Sequence, residues 1–263
     1  MKETEEGKYI MPHIHMGSGE ALVLIHGLGE IKEGWTRQFE LASQFELIIP
    51  DLRGHGENKT YEGISVENFA RDVLTLLKEL QIESAHICGL SMGGVVAQEI
   101  YRQAPEVCRS LILVNTLHYF PKWLESSIFF HIRKARALFL TPEQQKVMAA
   151  KTCLYSWREE NLQEFYKLYK PDKKGYLLAM KACLEVDHRD ILPHIKIPTL
   201  IIGSQYDAIT PVGIQIMMHE MIPNSELVIF KKSGHISKFE AAKEFNSTVR
   251  HFIDKHKIRN KAG

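Results

Sequence analysis

The sequence has no stretch of about 18 or more consecutive apolar residues, so no transmembrane helix is expected. Its opening residues, Met1-Lys2-Glu3-Thr4-Glu5-Glu6, are charged and lack the apolar core of a signal peptide. There are only four cysteines, Cys88, Cys108, Cys153 and Cys183, with neither a CxxC pair nor a zinc-like spacing among them. Free thiols in a reducing compartment are therefore expected, and with them a cytoplasmic location. Neither sign of charge dominates: 33 basic residues face 32 acidic ones, for a net charge of +1. That balance argues against nucleic acid as a partner. The chain also lacks internal repeats and low-complexity segments, and its composition is that of a globular protein.

What is present is alternation. Six short apolar runs are each bounded by turn formers: Leu22-Val23-Leu24-Ile25, Leu47-Ile48-Ile49, Ala85-His86-Ile87-Cys88, Leu111-Ile112-Leu113-Val114, Thr199-Leu200-Ile201-Ile202 and Leu227-Val228-Ile229-Phe230. Runs without polar alternation read as strands buried on both faces, as parallel sheets require. Helical periodicity fills most of the gaps, over 66–80, 93–102 and 242–255. The expected fold is a doubly wound, mostly parallel α/β sheet. Ligands then bind beyond the carboxyl ends of its strands. Residues 120–187 interrupt the alternation with helical patterns alone, including a Thr141 cap before Pro142. They read as a helical cap inserted into a core made of 1–119 and 188–263.

The chemistry centres on Gly89-Leu90-Ser91-Met92-Gly93, a Gly-x-Ser-x-Gly between the third run and a helix. There a sharp turn lifts the serine hydroxyl off the sheet edge onto a helix N-terminus, which favours developing negative charge. The two glycines are expected where neighbouring backbone leaves no room for a Cβ. A serine hydroxyl is a poor nucleophile without a base. In chain order Ser…Asp…His, the carboxylate is Asp207, directly after the fifth run, and the base is His235, directly after the sixth. Asp187 and Asp190 precede the fifth run, at the wrong edge. The loop Asn115-Thr116-Leu117-His118 has no carboxylate to offer. Two backbone N–H groups should complete an oxyanion hole: that of Met92, and one from His26-Gly27-Leu28-Gly29, assigned to Leu28. His26 is read as holding that loop by a hydrogen bond.

Taken together, His26-Gly27-Leu28-Gly29, Asp51-Leu52-Arg53-Gly54-His55-Gly56, the Ser91 elbow, Asp207 and Ser233-Gly234-His235 resemble the α/β-hydrolase superfamily over nearly the whole chain. Asn58 departs from the serine often found after the Arg-Gly-His-Gly turn. Gly-Leu-Ser-Met-Gly-Gly and Leu113-Val114-Asn115-Thr116 are similar to the branch of 3-oxoadipate enol-lactonases and small carboxylesterases. The resemblance implies an esterase acting through an acyl-enzyme on Ser91, with no metal or organic cofactor. Serine at the elbow argues against the aspartate chemistry of haloalkane dehalogenases and epoxide hydrolases. A lactonase, a C–C hydrolase, a hydroxynitrile lyase or a perhydrolase on the same three residues stays open, as does a non-catalytic ligand-binding relative. The expected partner is a small, mostly apolar ester or lactone; Phe129, Phe130, Leu138, Phe139 and Trp157 suggest an apolar pocket for it, or equally a packing of the insertion onto the core. Oligomeric state is not legible.

Overall fold

All six apolar runs are strands. The computed structural model describes residues 11–122 and 128–257. A seven-stranded sheet is built from β1 (His13–Met16), β2 (Glu20–Ile25), β3 (Phe45–Pro50), β4 (Ala85–Leu90), β5 (Cys108–Val114), β6 (Thr199–Ser204) and β7 (Ser225–Phe230). Their order across the sheet is β1-β3-β2-β4-β5-β6-β7, and every neighbouring pair is parallel except β1 with β3. Every residue of β4 and of β6 is buried, which is why these strands carry no polar alternation.

Around the sheet lie α1 (Val66–Glu79), α2 (Met92–Gln103), α7 (Val212–Met221), the single turn α8 (Ser237–Glu240) and α9 (Ala242–Lys255). Between β5 and β6 come α3 (Ile128–Phe139), α4 (Pro142–Cys153), α5 (Glu159–Leu168) and α6 (Lys173–Leu184). The Thr141 cap forms a full capping box: its hydroxyl accepts from Gln144 N–H, and Gln144 returns the bond to Thr141 N–H. The two ends of this helical segment meet. Tyr119 and Asp187 form an isolated antiparallel bridge, and His188 N–H donates to His118 O at 2.7 Å. The chain thus leaves the sheet and returns to it at one point. Residues 123–127 of the first expected helix lie outside the described residues.

The apolar core fills both faces of the sheet. Phe69, Val73, Ile100 and Met218 lie in one cluster, and Trp35, Phe45, Phe245 and Phe252 in the other. None of the four cysteines forms a disulfide, and Cys88 is fully buried in β4, where burial pushes its thiol pKa up. Among the described residues no helix is long and apolar enough to cross a membrane.

Strand order decides where a site forms. The chain winds from β2 outward to β3, then crosses back to place β4 on the other side of β2. At such a reversal the loops after the two central strands separate and leave a crevice. Register aligns the strand ends: Ile25 lies beside Gly89, Leu90 beside Val114, Val114 beside Ile202, and Ser204 beside Phe230. The segments that follow β2, β4, β6 and β7 therefore emerge from one edge.

Candidate active site

Ser91 stands alone between β4 and α2, with φ 54° and ψ −118°. This backbone conformation is strained for any residue with a Cβ, at a cost of about 1–3 kcal/mol. It persists because the surroundings fix it. Ser91 N–H donates to Val114 O at 2.9 Å, and Ser91 O accepts from Gly94 N–H at 2.9 Å and from the Thr116 hydroxyl at 2.6 Å. The flanking glycines are required by space. A Cβ on Gly89 would lie 2.0 Å from Gly93 O, and one on Gly93 would lie 2.2 Å from Ile25 O. Both obstacles are backbone, so neither can swing aside. Gly93→Ala is expected to cost about 3 kcal/mol or more. Thermal melts and soluble yield read that loss, and a melt matching that of the parent protein would contradict the contact.

The loop after β2 is a tight turn. Glu30 N–H closes onto Gly27 O at 3.2 Å, with Gly29 third in the turn at φ +81°. The N–H of the second turn residue takes no part in such a bond. Among the described residues neither Leu28 N–H nor Met92 N–H meets an acceptor. Met92 is the first residue of α2, where helical N–H groups lack internal partners. His26 holds the loop from beneath: its Nδ1–H donates to Gly27 O at 2.8 Å, and its Nε2 accepts from Leu52 N–H at 3.1 Å. Those two roles fix a neutral imidazole, in accord with burial pushing its pKa down. The turn after β3 is structural as well. Asp51 accepts from Lys32 N–H, Lys32 Nζ and Glu57 N–H, and Asn58 Nδ2 donates to Asp51 O at 3.0 Å.

Asp207 follows β6 and His235 follows β7, and the two are joined. His235 Nδ1–H donates to Asp207 Oδ2 at 2.8 Å. The Asp207 side chain is wholly buried and accepts three further bonds: from Ile209 N–H at 2.8 Å, Thr210 N–H at 2.9 Å and the Thr210 hydroxyl at 2.7 Å. Burial alone would raise this carboxyl's pKa, but the His235 ring and the Thr210 bonds outweigh it and hold it below the ordinary carboxylate range. The opposite ring nitrogen, Nε2, is left for other chemistry. The His235 backbone is pinned on both sides, its N–H to Cys153 O at 2.7 Å and its carbonyl to Asn115 Nδ2 at 2.7 Å. Asn115 Nδ2 also donates to Ser204 Oγ at 3.0 Å, so one amide ties β5, β6 and the His235 loop together.

Ser91, His235, Leu28 and Met92 border one cavity of about 220 Å³. Asp207 stands behind His235, outside the lining. Among the described residues no hydrogen bond joins Ser91 Oγ to His235; both residues line the same cavity. The expected pocket walls need correction. Leu138, Phe139 and Trp157 are exposed and do not border the cavity, while the side chains of Phe129 and Phe130 lie outside the described residues. Trp157 Nε1 donates to Leu154 O three residues back, a local bond that holds the indole at the surface. Met148 and Ala149 of α4, Tyr176, Met180 and Leu184 of α6, and Phe120 form apolar wall instead. Sequence reasoning also passed over Asn115, Thr210 and Glu30. Only the position of Thr210, three residues after Asp207, offered a local signal.

Comparison with known proteins gives one answer on family. A family model described as the alpha/beta hydrolase fold matches residues 20–242. The 3-oxoadipate enol-lactonase 2 of Acinetobacter baylyi is 31% identical, over 87% of this chain and 86% of its own. The 3-oxoadipate enol-lactonase 1 of the same organism is 28% identical, over 96% of both chains. Among solved structures, the enol-lactonase from Burkholderia xenovorans superposes with a TM-score of 0.84 at 24% identity, covering 93% of this chain and 96% of that one. An esterase from Exiguobacterium antarcticum gives 0.86 at 22% identity, covering 96% and 98%. At such identities the two superpositions speak for the fold. With the family model spanning most of the chain, the strand order and the loops at one sheet edge have a single reading: this chain belongs to the α/β-hydrolase fold family.

Proposed function

We propose that this protein is a serine hydrolase that cleaves carboxylic esters of small, mostly apolar substrates through an acyl-enzyme on Ser91. The observation that carries the reading is the Asp207–His235 hydrogen bond placed behind a cavity shared with Ser91 at the head of α2. With Nδ1–H committed to Asp207, His235 Nε2 is the atom free to take the Ser91 proton. Ser91 Oγ then attacks the ester carbonyl, and the oxyanion rests on the N–H groups of Leu28 and Met92. His235 returns the proton to the leaving alcohol, then activates water to hydrolyse the acyl-enzyme. Asp207 keeps the imidazole in the productive tautomer. Two free donors at an oxyanion are worth about 3–4 kcal/mol each in the transition state.

The segment between β5 and β6 acts as a cap in this reading, and its apolar side chains from α4 and α6 receive the substrate. A cavity below the usual range of about 300–1,000 Å³ for small-molecule sites favours short acyl and alkyl groups. A lactone is a cyclic ester and needs no different machinery. The names of the two Acinetobacter baylyi relatives favour it as a second substrate class.

Covalent labelling with a fluorophosphonate tests the reading. The folded protein is expected to label once, at Ser91, and Ser91→Ala to stay unlabelled. Equal labelling of both, or of neither, would sink it. Turnover of short p-nitrophenyl esters beside a panel of simple lactones then ranks the two substrate classes.

A further inference from the structure

One charge on the cavity lining has no part in the scheme above. Glu30 borders the cavity yet is 5% exposed. Its Oε2 accepts from Gly27 N–H at 2.9 Å, while its Oε1 lies 3.3 Å from Lys238 Nζ. Lys238 is 1% exposed, donates to Gly34 O and sits 4.5 Å above the Trp35 ring. A Cβ built on Gly27 would be 3.4 Å from Glu30 Oε2 and 3.5 Å from Ser91 Cβ, so the carboxylate lies on the Ser91 side of the loop. Lys238 belongs to α8, three residues after His235.

A buried ion pair is weak evidence for stability, since desolvation cancels much of the attraction. Its worth lies in what it joins. We propose that Glu30 and Lys238 are positioning residues that lock the loop bearing Leu28 to the loop bearing His235, with Glu30 holding the Gly27 amide so that Leu28 N–H stays turned toward Ser91. The inference rests on the hydrolase reading. Without an acceptor for Gly27 N–H, the His26–Gly27 peptide loses the bond that orients it, and with it the lead into the turn that presents Leu28 N–H. Without Lys238, a bare carboxylate stands beside the place where an oxyanion forms. Other titratable groups face the same region: His26 and Asp51 from the β2 and β3 ends, Cys88 from β4, and Asp207, Cys153 and Glu240 around His235. All of these stay constant across the variants below.

Two charge-free double variants isolate the amide bond, because neither leaves a buried charge alone. E30Q/K238M keeps an acceptor for Gly27 N–H; E30A/K238M does not. The second is expected to have a kcat lower than the first on the order of 10²-fold, with KM little changed. Its Gly27 amide should also exchange faster with deuterium. Lys238→Met tests the pairing, since it leaves the Glu30 carboxylate bare, and its kcat should fall below that of E30Q/K238M. Equal kcat and equal Gly27 exchange in the two doubles, or equal kcat in Lys238→Met and E30Q/K238M, would overturn the inference. Amide exchange needs no substrate. A wild type that resists fluorophosphonate therefore counts against the hydrolase reading alone.

Discussion

Ser91→Gly is expected to end turnover and, in the same protein, to raise the melting temperature. Removal of a serine nucleophile costs about 10⁶-fold in kcat, leaving only what binding and oxyanion donors supply. The stability gain has a separate origin. At φ 54° and ψ −118° the Ser91 backbone suits a residue without a Cβ. Relief of that strain is worth about 1 kcal/mol or more, which in a chain of this size moves the midpoint by about 2–4 °C per kcal/mol. Ser91→Ala separates the two effects, since alanine removes the hydroxyl but keeps the Cβ. It should be as inactive as the glycine variant and no more stable than the parent. Two variants with equal midpoints would mean that the turn stores no strain. Residual ester turnover in both would mean that the nucleophile lies elsewhere.

Asp207→Asn should lower kcat by about 10⁴-fold with little change in overall structure. The side-chain amide would present N–H where the carboxylate now accepts, and His235 Nδ1 would become the acceptor. Its proton would then sit on Nε2, the nitrogen meant to receive the Ser91 proton. The same variant carries a pH signature. The Asp207 carboxyl is held below its ordinary range in the folded protein. Its ionised form therefore stabilises the fold fully above the unfolded pKa of about 3.9, and that contribution is lost as pH falls through the folded value. The stability difference between parent and Asp207→Asn should be constant between neutral and mildly acidic pH, then narrow toward strong acid. Urea midpoints taken down the pH scale give the comparison. A gap that widens in acid would reverse the sign argued here.

The strands that could be read from sequence are those buried on both faces, because burial leaves nothing but apolar residues to see. β1 escapes that test. His-Ile-His-Met pairs antiparallel at the sheet edge, half exposed, and contains no apolar run. The 3₁₀ turns of Lys32–Ser43 escape for a similar reason, since their irregular repeat marks no face even though Trp35 is fully buried. Within the candidate site, the placement of Ser91, Asp207 and His235 at one sheet edge is legible because each follows a strand, and parallel strands end at one edge. Asn115 and the Glu30–Lys238 pair are not legible. Asn115 meets His235 across 120 positions and Lys238 meets Gln38 across 200, and no local pattern foretells contacts at that range. The cavity walls are not legible either, because aromatic content does not say which way a helix turns. Phe139 is 83% exposed while Met148, on the next helix, faces inward.

The bridge between Tyr119 and Asp187 makes α3 to α6, in the language of chain topology, a long loop on a closed frame. Lengthening a loop whose ends already meet is cheap, about 0.6 kcal/mol of closure entropy for each doubling. The sheet register of β5 against β6 does not depend on what hangs between them. Helices there are free to be exchanged, lengthened or reshuffled over generations while the strands stay as they are. Bonds to the core limit that freedom, and one of them reaches the site. Cys153 O receives His235 N–H, and an added Cβ on Gly234 would lie 2.5 Å from that same oxygen. Any replacement for α4 must present a carbonyl at that spot, so a stretch that topology leaves free still answers to the loop that holds His235.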